Sequence, residues 1–114
     1  MTARGRPPIP VLIVVVAYLA VGVGGFIVHF RDLLANPSEG IWMEVTELVA
    51  LVTGIFLLRG RNWARWLALA WILFHVGLSA FGERSELVVH AVLAAVIAWL
   101  LFRPGTTRWF QPAV

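Results

Sequence analysis

From residue 11 to residue 30 the chain carries no charged side chain, and the same feature recurs over residues 48–58, 66–82 and 87–102. Uncharged apolar runs separated by short polar breaks narrow the choice of fold sharply. In lipid every backbone N–H and C=O must find its partner inside the protein, which leaves helices or closed barrels. Continuous runs without period-two alternation fit helices. Composition agrees: 61% of the 114 residues are hydrophobic and 13% are charged, about half the charged fraction of a typical soluble domain. A chain this short has too little interior to hide so much apolar surface, so lipid is its expected solvent.

The breaks locate the helices. Arg4 and Arg6 precede Pro7, Pro8, Ile9 and Pro10 in a short basic head. That head resembles the charged start of a signal peptide. The apolar run after it is too long for one, and no A-x-A site follows. A retained membrane helix over 10–30 is expected, then a brief loop over 31–35. Asn36 reads as a helix cap, with Pro37 at the first helical position and Glu39 at the third. The second helix therefore covers 37–58. A basic turn from Arg59 to Asn62 follows, with Asn62 as cap of a third helix over 63–81. Gly82, Glu83, Arg84 and Ser85 turn the chain again, with Ser85 capping a fourth helix over 86–102. Pro104 and Gly105 end it, and the tail 106–114, with Trp109 and Phe110, is expected at the membrane interface. The reading is one domain, residues 1–114: an all-α, antiparallel four-helix bundle of a polytopic membrane protein.

Charge sets its orientation. Arg4, Arg6, Arg59, Arg61, Arg65, Arg103 and Arg108 fall at the termini or the second turn, whereas Asp32, Glu39, Glu44, Glu47, Glu83 and Glu86 fall toward the other two turns. Only Arg31 and Arg84 join the acids there. Arginine concentrates on the cytoplasmic side of membrane proteins, so both termini are expected in the cytoplasm. Trp63, Trp66, Trp99 and Trp109 fit an inner aromatic belt, with Trp42 and Phe81 in a sparser outer one. All nine basic residues are arginine and there is no lysine, a bias associated with GC-rich bacterial genomes, which places the chain in a bacterial inner membrane. Nucleic-acid binding is not expected, because the arginines mark span ends rather than a soluble face. The absence of cysteine excludes disulfides and thiolate metal sites.

Chemistry concentrates in a few ionisable groups inside the spans. Counting about 1.5 Å per residue from the inner arginines puts Glu47 roughly 18 Å up, His90 roughly 20 Å and His75 roughly 15–21 Å. All three lie within a hydrocarbon core of about 30 Å. Glu44, Glu86 and His29 come out about one to two turns higher. Each shares a helix face with small residues such as Gly22, Gly25, Ala50, Gly54, Ala68 and Ala94, the mark of close helix packing in membranes. The reading is a pocket opening outward, with Glu47, His75 and His90 as ligands of a divalent metal, zinc or non-haem iron. Glu44, His29 and Glu86 support them as further ligands or outer partners.

Other readings compete. A buried histidine often just hydrogen-bonds to a neighbouring helix, and Glu44 and Glu86 are equally explained as solvated helix ends. Haem, a quinone pocket and a proton relay through Tyr18, His29 and the carboxylates form a second functional class. Haem ranks below a bare ion, since adjacent helices about 8–10 Å apart leave little room for a macrocycle. A non-catalytic accessory or assembly subunit is a third class, suggested by small size and small-residue stripes. Either way the bilayer is a partner, with a homo-oligomer or a larger membrane complex expected. The stretch Gly60-Arg61-Asn62-Trp63-Ala64-Arg65-Trp66, followed by an apolar helix, resembles small four-span bacterial inner-membrane proteins of uncharacterised activity. It covers one turn and one helix start, and implies topology rather than a reaction.

Overall fold

Proline sets where the first two helices begin. In the computed structural model, which describes residues 5–111, α1 (Ile9–Ala35) starts with Pro10 in its first turn, where a missing N–H costs nothing. It runs five residues past the expected end at 30. Arg31–Ala35 are good helix formers, and leaving the apolar stretch gives them no reason to unwind. The helix stops only at Asn36, held at φ −146° and ψ 80° because the following proline disfavours the helical region. Asn36 alone links α1 to α2 (Pro37–Leu58), whose bounds match expectation. Its capping role does not hold: the Asn36 side chain bonds no backbone N–H, and its Oδ1 accepts the Ser38 hydroxyl instead at 3.2 Å.

The second turn depends on Gly60, whose φ of +74° suits a residue without Cβ. It leads into α3 (Asn62–Ser79), in which Asn62 is already helical and Arg61 holds the cap position. Asn62 Oδ1 accepts from Arg65 Nη2 at 2.7 Å, so the expected cap is occupied by its neighbour one turn on. α4 (Arg84–Phe102) begins two residues early, with Ser85 inside it and Glu83 in the cap position. A four-residue helix, α5 (Pro104–Thr107), and a 3-10 turn (Arg108–Phe110) complete the described chain.

Close approaches between α1 and α2 show their antiparallel register. Gly40 lies against Leu33, Gly25 against Glu47, Gly22 against Leu51 and Gly54 against Leu19, so positions fall on one helix as they rise on the other. α3 and α4 pair in the same sense, with Trp66 on Phe102 and Ser79 on His90. The two hairpins meet through α2 with α3 and, less extensively, α1 with α4. α1, α2 and α4 are long and apolar enough to cross a membrane. α3 is not among them, as it carries Asn62, Arg65, His75 and three tryptophans in 18 residues.

The tightest packing lies at the arginine-bearing end, where Val11, Leu57, Ala64, Ala68 and Leu101 are fully buried. The segment after α4 closes this end. Trp109 donates its indole N–H to the Leu57 carbonyl at 2.9 Å, and Phe110 is buried beside it. The tail expected at the interface thus packs, over its described residues, against the arginine-bearing end of the bundle, where the Trp109 indole finds a carbonyl partner and a core to fill. Burying such a side chain contributes roughly 2–3 kcal/mol. Arg65 is held between the rings of Phe102 (4.4 Å) and Phe110 (5.2 Å) and donates to Leu101 and Thr107. The other end is looser. In α4, Val88, Val89, Val92 and Leu93 are exposed, and so are Ala91 and Ala95.

Candidate functional site

The α1–α2 hairpin builds the first part of the site. Gly25 presents only a hydrogen where the Glu47 carboxylate lies; a Cβ there would sit 2.7 Å from both its Cδ and Oε1. In that gap Glu47 Oε1 meets Nδ1 of His29 at 2.5 Å. Glu44, one turn from Glu47 on the same face, is buried with it. Both Glu44 oxygens and Oε2 of Glu47 are buried without a hydrogen-bond partner among the described residues. His29, Glu44 and Glu47 thus each offer a ligand atom, all within 4.8 Å of one another. No other such group occurs among the described residues.

Side-chain direction explains why His29 reaches Glu47 from a position placed one to two turns higher. Helical side chains lean toward their own N-terminus. α1 climbs toward the Asn36 turn and α2 descends from it, so His29 leans down and Glu47 leans up. The expectation that Glu44 ends in solvent is overturned by its 4% exposure, since α1 covers that face. Glu86 differs: it is exposed and lies near Gly82, apart from the cluster.

The second part is an aromatic row crossing the bundle. Tyr18 donates its hydroxyl to the Ala68 carbonyl at 2.5 Å and packs on Trp71, with centroids 5.2 Å apart. Trp71 lies 4.0 Å from His75, and His75 stacks on His90 at 6.2 Å. Trp71 donates Nε1–H to the Thr46 carbonyl at 2.8 Å, which ties α3 to α2. His75 Nδ1 is 2.9 Å from the carbonyl of Trp71, and His90 Nδ1 is 2.8 Å from that of Glu86, each four residues back. Ser79 Oγ also lies 2.9 Å from His90 Nδ1.

These parts border one cavity of about 670 Å³ that His29, Glu47, His75 and His90 all line. The depth count groups Glu47, His75 and His90, and the chamber adds His29, which the count sets one to two turns higher. Glu47 takes His29 as its direct partner, while His75 and His90 form a pair of their own. Gly25 and Trp71 build the site from faces that the sequence groups with His29 and His75, and Ser79 supplies a cross-helix partner for His90. The four-residue spacings Trp71–His75 and Glu86–His90 were visible there and mark imidazoles tied to their own helix.

Fold and site define an all-helical chain of membrane character, with a buried carboxylate–imidazole cluster beside an apolar chamber. No protein-family model, curated protein or solved structure matches it.

Proposed function

We propose that this chain is a small integral protein of the bacterial inner membrane that binds a divalent metal, zinc or non-haem iron, at His29, Glu44 and Glu47. Four helices cross the bilayer and both termini are cytoplasmic, with the arginine-bearing end inward. One observation carries the metal reading: two carboxylates are buried side by side against an imidazole, and three of their four oxygens lack a partner. Buried charge without compensation is costly, and a cation is the direct remedy. The donor set suits zinc or ferrous iron, whose ligands lie about 2.0–2.2 Å from the ion. Binding replaces the proton between His29 and Glu47, so uptake releases protons and weakens in acid.

Elemental analysis of detergent-purified protein equilibrated with zinc or ferrous iron tests this. About one ion per chain is expected, and Glu44→Gln with Glu47→Gln should abolish it. Metal-free protein at every concentration, with an infrared band from a protonated carboxyl, would overturn the reading in favour of a pair that holds protons. A second reading, an assembly subunit, is favoured by the exposed Ala91 and Ala95 on α4, a spacing that marks helix contact in membranes. Cysteine cross-linking at Ala91 and Ala95 between copies, or to a co-purifying partner, separates the two.

A further inference from the structure

We propose that the chamber binds a lipid-soluble hydroxylated aromatic, a hydroquinone-type ring, whose hydroxyl groups donate to Nε2 of His75 and His90. This shares its cavity with the metal reading but rests on different side chains.

The hydrogen bonds define what the chamber wants. A backbone carbonyl only accepts, so Nδ1 of His75 carries hydrogen toward Trp71, and Nδ1 of His90 carries hydrogen toward Glu86. Ser79 Oγ, at 2.9 Å, shares the hydrogen of His90. In a neutral imidazole the other nitrogen then holds a bare lone pair. Both Nε2 atoms lack a hydrogen-bond partner among the described residues. Two donors of the wall are already engaged, since Trp71 Nε1–H goes to Thr46 O at 2.8 Å and the Thr46 hydroxyl goes to Met43 O at 2.8 Å, which leaves the indole N–H of Trp42 at the exposed rim. Oε2 of Glu47 adds a further acceptor without a partner. The wall therefore offers acceptors and few donors, and a ligand must bring hydrogens. A site built to pair with hydroxyl groups rejects the analogue lacking them, because its own polar atoms are then left unsatisfied.

Shape and entrance give the remainder. About 670 Å³ is within the range of small-molecule sites, roughly 300–1,000 Å³. Trp71 and Phe74 offer ring surfaces for a flat molecule. Val21, Trp42, Met43, Leu78 and Leu93 line the same chamber and are apolar and exposed, so its mouth lies on the flank that faces lipid. A ligand entering there arrives dissolved in the membrane, with any apolar tail left outside.

The test uses the full chain in detergent without oxygen, following tryptophan fluorescence as tert-butylhydroquinone or its dimethyl ether is added. The hydroquinone should bind at least tenfold more tightly than the ether. His75→Asn with His90→Asn keeps a donor near each Nδ1 position and removes both Nε2 acceptors. With helicity retained by circular dichroism, that variant should bind the two compounds equally. Glu44→Gln should abolish metal uptake yet leave the preference for hydroquinone intact, so the two readings fail separately. Equal binding of both compounds by the unaltered protein, or a preference that survives the double asparagine variant, overturns the proposal.

Discussion

Gly25 and Glu47 occupy one space: the carboxylate of Glu47 lies where a side chain on residue 25 would begin. Gly22 has a different neighbour, since a Cβ there meets backbone atoms of Leu51 at 2.8 and 2.9 Å. The two substitutions should part company. Gly25→Ala displaces the far end of a flexible side chain, breaking the Glu47–His29 contact at little cost to the fold. Metal affinity should fall about tenfold, within the range for disturbing a ligand's supporting partner. Gly22→Ala pushes helix axes apart and should cost roughly 1–3 kcal/mol. Unfolding in detergent and metal titration of both variants check this; equal loss of stability would show that the Glu47 side chain cannot yield.

Glu44 has two buried oxygens without partners. In metal-free protein Glu44→Gln removes a buried charge, so melting temperature should hold or rise. Added zinc should no longer raise it. The unaltered chain should gain roughly 2.7 kcal/mol at about a hundredfold excess over Kd. Melting curves with and without zinc give both signs.

Tyr18 spans the diagonal of the bundle through its hydroxyl on Ala68. Removing that hydroxyl in Tyr18→Phe should destabilise by about 1 kcal/mol, because the ring still fills its place against Trp71. Chemical unfolding in mixed micelles measures it. A loss above about 3 kcal/mol would mean that the ring had moved.

Trp109→Ala should cost roughly 3–5 kcal/mol and expose the Leu57 carbonyl. Trp109→Phe, which keeps a buried ring but loses the N–H donor and part of the indole's volume, should cost roughly 1–3 kcal/mol. Protease sensitivity near Arg108 should increase in the alanine variant alone.

Punctuation in the chain was a better guide than polarity. Asn36–Pro37 and Arg59–Gly60 mark real breaks because they act on the backbone itself. The end of α1 was misplaced because loss of apolar character at Arg31 does not unwind a helix. Asn36, Asn62 and Ser85 have capping chemistry yet bond elsewhere or lie inside a helix, since a cap depends on local dihedrals as well as residue type. For the site, depth counting put Glu47, His75 and His90 beside one chamber, and facing put His29 near Gly25. Which histidine takes Glu47 was hidden because side chains on antiparallel helices lean toward one another along the axis. The bond from Trp109 to Leu57 was hidden because no local pattern points to a carbonyl 52 positions away.

That distance between Trp109 and Leu57 also bears on the order of assembly. Trp109 follows all four long helices in the chain, so their arginine-bearing ends stay uncovered until it has been made. The α1–α2 hairpin, linked by one residue, can zip as soon as α2 is made. A cell making this protein therefore carries, late in each round of synthesis, a bundle whose arginine-bearing end still lacks its closing indole.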